Sequence, residues 1–93
     1  MFVFAVWTQF QPNPATVVKT FASSSMAHRY AQELRQQAIL FGKPELSEDK
    51  EILKLKLQDP CLIMRWVNEQ DAIWISRILH DDTSEPVQGD ERF

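Results

Sequence analysis

The stretch from Ser23 to Pro44 constrains this chain most, because it reads as a helix with both of its ends marked. Ser23, Ser24 and Ser25 offer hydroxyls that accept hydrogen bonds from the free amides of a first turn. From Met26 to Phe41, Ala27, Tyr30, Ala31, Leu34, Ala38 and Phe41 recur at helical spacing. His28, Arg29, Gln32, Glu33, Arg35 and Gln36 take the remaining circumference. Gly42 adopts the left-handed conformation cheaply and Pro44 cannot continue a helix, so the element stops there. An amphipathic helix of this kind needs an apolar surface to lie on. The flanking segments read as strands, which makes the expected fold α+β: a single-layer antiparallel sheet of about five strands packed on one main helix.

Phe2 to Phe10 is apolar and aromatic, with Phe2, Phe4, Val6, Thr8 and Phe10 on one face of a strand. Gln11-Pro12-Asn13-Pro14 is a loop, and Ala15 to Phe21 is a second strand, so the two form a hairpin. Lys43 to Asp49 reads as a polar linker. Leu53, Leu55 and Leu57 alternate with Lys54 and Lys56, the period-two signature of a half-buried strand over 52–57. A helix from Ser47 competes with it, since Leu and Lys are good helix formers. Gln58-Asp59-Pro60 is a turn or the start of a short helix. Cys61–Val67 and Ala72–Leu79 are apolar runs about a four-residue loop, hence a second hairpin. The expected order is β-β-α-β-β-β. The domain occupies 1–80, and 81–93 form an acidic polar tail.

Pairing Val67 with Ala72 sorts the second hairpin into two faces. Leu62, Met64, Trp66, Ile73, Ile75, Arg77 and Leu79 make the face under the helix. Cys61, Ile63, Arg65, Val67, Ala72, Trp74, Ser76 and Ile78 make the other, with Arg65 placed to stack on Trp74. One helix covers part of a five-stranded sheet, so this second face, with Trp74, Ile63, Ile78 and Arg65, is the expected partner surface. A stripe of His28, Gln32 and Arg35 on the helix is the second.

The 93 residues are 44% hydrophobic and 25% charged, as a single globular domain requires and a disordered chain does not. Residues 1–80 carry nine Lys/Arg against eight Asp/Glu, while 81–93 carry five acids against Arg92. A body without basic excess makes nucleic acid an unfavoured partner. The single cysteine, Cys61, precludes an internal disulfide and favours a reducing, cytoplasmic setting. The apolar start, Met1 to Trp7, has no basic leader and falls well short of the roughly 20 residues of a spanning helix.

No catalytic constellation is legible. His28 and His80 have no His or Cys at metal-ligand spacing. Cys61 sits among Leu62, Ile63 and Met64, without a histidine partner in any nucleophile motif. The acids Glu45, Glu48, Asp49 and Glu51 are interleaved with Lys43 and Lys50, as in a solvated loop. With glycines at 42 and 89 alone there is no phosphate-binding loop. The expectation is a non-enzymatic chain with no cofactor and no metal.

Val17-Val18-Lys19-Thr20-Phe21-Ala22-Ser23, leading into Met26-Ala27-His28-Arg29-Tyr30-Ala31, resembles a phrase of small phage, prophage and bacterial sheet-plus-helix domains of unknown function. Trp74 to Asp81 is similar to their closing strand. The likeness covers about half the chain; the middle section departs from it, and no site residue carries over. It implies a compact protein of mobile-element or bacterial origin. The expected function is therefore a protein-binding module, with a second copy of the chain or a host defence protein or enzyme as its partner. The alternatives are a nucleic-acid-associated regulator acting through Arg29, Arg35 and His28, or a small-molecule-binding domain.

Overall fold

The computed structural model describes residues 2–79. The acidic tail at 81–93 and His80 lie outside the described residues. Five strands, β1 (Phe2–Gln9), β2 (Thr16–Phe21), β3 (Ser47–Glu48), β4 (Leu62–Val67) and β5 (Ala72–Leu79), form one antiparallel sheet in the order β2-β1-β5-β4-β3. Two helices, α1 (Ser24–Leu40) and α2 (Ile52–Gln58), complete the secondary structure of the described residues. The α+β class, the five-stranded sheet, the main helix and both hairpins agree with the sequence reading, and Val67 does pair with Ala72.

Two segments differ from expectation. The run 52–57 is helix α2, not a strand, and the third strand is the two-residue β3 pairing with Val67 and Trp66. Asp49 initiates the helix locally: its carboxylate accepts from Glu51 N at 2.9 Å and its carbonyl from Ile52 N at 3.1 Å. Ile52 and Leu55, three apart, are half-buried, whereas Leu53 and Leu57, four apart, are exposed. The leucine alternation thus records no burial, and a helical surface replaces the pleated one. Leu46, inside the predicted polar linker, is fully buried in the core.

The core lies between α1 and the sheet. Ala27, Ala31 and Ala38 are its helix contribution, facing Val6, Ile73 and Ile75, with Leu46 closing one side. Alanine at the contact lets the helix backbone sit close to the sheet, and Phe4, Phe21, Tyr30, Leu34 and Trp66 wall the space around it. Both ends of α1 are closed as the sequence demands. Ser23 is the N-cap, its Oγ accepting from Met26 N at 3.3 Å. At the other end Gly42, at φ +86°, donates to Ile39 O and Lys43 N to Ala38 O, the paired bonds of a Schellman closure.

Two irregularities set which side chains share a face. The β1–β2 register shifts between Val6 and Trp7, so Val17 lies opposite Trp7. The β4–β5 register shifts between Leu62 and Met64, so Leu62 lies opposite Ser76 while Met64 lies opposite Ile75. This bulge exchanges two predicted faces: Leu62 moves to the side away from α1, and Ile63 packs against the core cluster rather than beside Trp74.

Candidate functional site

The face opposite α1 carries a ladder running across the strands. Trp7 and Trp74 are cross-strand partners stacked in parallel, centroids 5.7 Å apart and planes 6° off. The Arg65 guanidinium lies 5.1 Å from the Trp74 ring centre, and its Nε donates to Asp49 Oδ2 at 3.1 Å. Trp7 Nε1 donates to Ser76 Oγ at 2.8 Å, so that indole leans along the sheet. Its lean explains why Ala5 and Ser76 are buried on a face that α1 does not cover. The expected opening is therefore largely filled by the sheet's own aromatics. Trp74 has Trp7 on one side and Arg65 on the other, and its edge is what remains to meet a partner. Ile78 is exposed farther along the same face.

The helix stripe is also divided. His28 and Gln32 are exposed, and His28 Nδ1 is 3.0 Å from Ser24 O. Arg35 is drawn inward, its guanidinium 4.9 Å from the Trp66 ring centre and 3.6 Å from Glu45. Among the predicted partner residues, then, Trp74 and Arg65 are in contact, Ile63 joins the core, and Arg35 is held apart from His28 and Gln32.

A second surface was not singled out from sequence. At the C-terminal end of α1, a cavity of about 380 Å³ opens between the helix and the β1–β2 loop. Phe10, Leu34, Ala38 and Phe41 supply its apolar lining, and Gln11, Asn13, Gln37 and Lys43 its polar rim. Beside it Leu40 and Phe41 are 83% and 84% exposed, a large cost in water for side chains of that size. They sit there because the helix keeps its small residues for the sheet contact, leaving the last turn's large ones on the outside. The signal in the sequence was Ile39-Leu40-Phe41, three apolar residues running into the helix stop, where a single stripe admits one or two.

Asp71 fixes the geometry of this end. Its side chain is fully buried, with Oδ1 accepting from Gln11 N at 2.9 Å. Its Oδ2 is 3.3 Å from Asn68 Nδ2 and 3.8 Å from Lys43 Nζ, and Asn68 Nδ2 also donates to Pro44 O at 2.9 Å. One carboxylate thus ties together the β1–β2 loop, the β4–β5 turn and the segment after α1. Lys43 completes the arrangement, its ammonium 5.7 Å from the centre of the Phe10 ring. A buried carboxylate satisfied this fully orders its surroundings.

A second hollow, of about 430 Å³, lies between α2 and Arg65 and is lined by both signs of charge, Asp49, Glu51, Lys54 and Arg65 among them. Cys61 is a free, half-buried thiol. Among the described residues no three His, Cys, Asp or Glu side chains gather as a metal site, and no helix is long and apolar enough to cross a membrane. Compared with protein-family models, with curated proteins and with solved structures, the chain matches none.

Proposed function

We propose that this chain is a non-enzymatic protein-binding module whose main contact surface is the C-terminal end of α1. The observation that carries this reading is the exposure of Leu40 and Phe41 beside a cavity of about 380 Å³ with an apolar floor and an amide rim. A protein interface concentrates its energy in a few large apolar side chains and the pockets that receive them, with polar groups around the edge. Large side chains held by an ordered backbone lose little freedom on docking, and the Schellman closure with the Asp71 ties supplies that order here. The edge of the Trp7–Trp74 pair is a secondary contact region. A phage-encoded inhibitor of a host protein is the concrete form that the sequence resemblance suggests.

A tagged pull-down from source-cell lysate, with and without nuclease and read by mass spectrometry, tests this reading. The expected result is one stoichiometric, nuclease-resistant partner, counting a co-expressed untagged copy of the chain, that is lost with Phe41→Asp and retained with Trp74→Ala. Partners that vanish with nuclease would overturn the reading in favour of nucleic acid.

A further inference from the structure

We infer that the partner at this surface is a second copy of the chain, docked about a two-fold axis so that Phe41 of each protomer enters the other's cavity. The inference rests on the binding-module reading above and names its partner. A two-fold interface must be self-complementary, because the same patch supplies both sides. This patch has that property in three respects. Protrusion and recess lie side by side: Phe41 stands exposed in the wall of a cavity lined also by Phe10, Leu34 and Ala38, and Leu40, next to it in the chain, is exposed as well. The dimensions suit, since a cavity of about 150 Å³ already holds a benzene ring, and the space here is about 380 Å³. Because Phe41 also lines its own cavity, the two phenyl rings meet near the axis, where aromatic pairs gain from offset or tilted contact.

The third respect is charge, and it selects a like partner over an oppositely charged one. The rim carries Gln11, Asn13 and Gln37, each of which both donates and accepts, so each can pair with the same residue of a second copy. A ring of charged residues would repel itself across a two-fold axis. The charge that is present, Lys43, is matched by buried Asp71 at 3.8 Å. Two copies therefore approach without like-charge repulsion, and a strongly charged partner finds no net charge to recognise.

Two other surfaces do not reach this point. The face of Trp74 is already occupied by Trp7 and Arg65. Leu53 and Leu57 on α2 are exposed, yet neither lines the hollow beside that helix, whose walls are largely charged.

Sedimentation velocity across a wide concentration range is the test. The wild-type chain is expected to pass from 10.9 kDa to twice that mass as concentration rises. Each dimer contains two Phe41 contacts, and losing one central aromatic anchor weakens an interface about 30-fold. Phe41→Asp should therefore raise the dimer Kd by about 1,000-fold and sediment as a monomer. Phe41→Leu should still dimerise, as should Leu57→Asp, which alters the exposed leucines of α2. Phe41 is exposed, so thermal unfolding is expected to confirm that both its variants fold. A wild-type chain that stays monomeric throughout overturns the inference, as does a dimer that persists in Phe41→Asp. If the wild type is monomeric while Phe41→Asp still loses a different protein in the pull-down, the second copy fails and the module reading stands. If Phe41→Asp changes neither experiment, both fail.

Discussion

The two helices differ in what they are made for, and the difference separates the part of the molecule that builds the fold from the part it presents. Helix α1 has 17 residues, a serine N-cap and a glycine-closed C-terminus, and it buries three alanines against the sheet. Helix α2 has seven residues, no side-chain cap and no buried residue. It is an adjunct of β4, with Leu53 and Leu57 turned to solvent. A helix this short is not stable by itself in water, so α2 exists because the Asp49 turn starts it and the β4 edge supports its Ile52–Leu55 side. Its sequence is apolar enough for a core element, yet its burial is that of a surface one.

This contrast can be broken from either side. The largest effect is expected at the alanine contact: Ala31→Leu adds side-chain volume where the residue has no exposure. It should cost about 2–3 kcal/mol, read as a fall in the urea midpoint at unchanged slope. A cost near zero would mean that α1 can rise off the sheet, removing the distinction between the helices. Next is the C-terminal closure. A Cβ at Gly42 meets no neighbour within 4 Å, so Gly42→Ala should cost about 1–2 kcal/mol through its left-handed backbone alone.

Ser23→Ala removes the cap that accepts from Met26 N and is expected to cost about 1 kcal/mol or slightly less. The smallest effect belongs to α2. Leu57 is 86% exposed, so Leu57→Lys should shift stability by less than about 0.5 kcal/mol in either direction. A large destabilisation there, measured by the same denaturant titration, would give α2 a part in the core that its burial denies it.

The same contrast explains what was legible. Helix α1 could be read because its caps and its alanine–leucine spacing all specify one structure, and such agreement across levels is what makes a segment predictable. Helix α2 could not, because Ile-Leu-Lys-Leu-Lys-Leu satisfies a strand by periodicity and a helix by propensity. The choice between them was made by Asp49, three residues before the segment. The cross-strand meeting of Arg65 and Trp74 followed from the hairpin register, whereas the exchange of Leu62 and Ile63 did not, because an inserted bulge leaves no mark in an apolar run. Trp7 as the partner of Trp74 needed the β1–β5 pairing, which joins residues 67 apart in sequence.

Local chemistry in the sequence by itself determined the α+β class, the capped helix and the two hairpins, because short-range hydrogen bonding and side-chain periodicity act within a few residues. The tertiary structure alone decided the strand order, the placing of α2 and the filling of the face opposite α1 by its own tryptophans. It also decided the cavity at the end of α1, where Phe10 from beside the β1–β2 loop meets Leu34 and Phe41 of the helix and Asp71 draws three segments together. Those features depend on which distant surfaces meet, and that is set by the packing of the whole chain rather than by any segment of it.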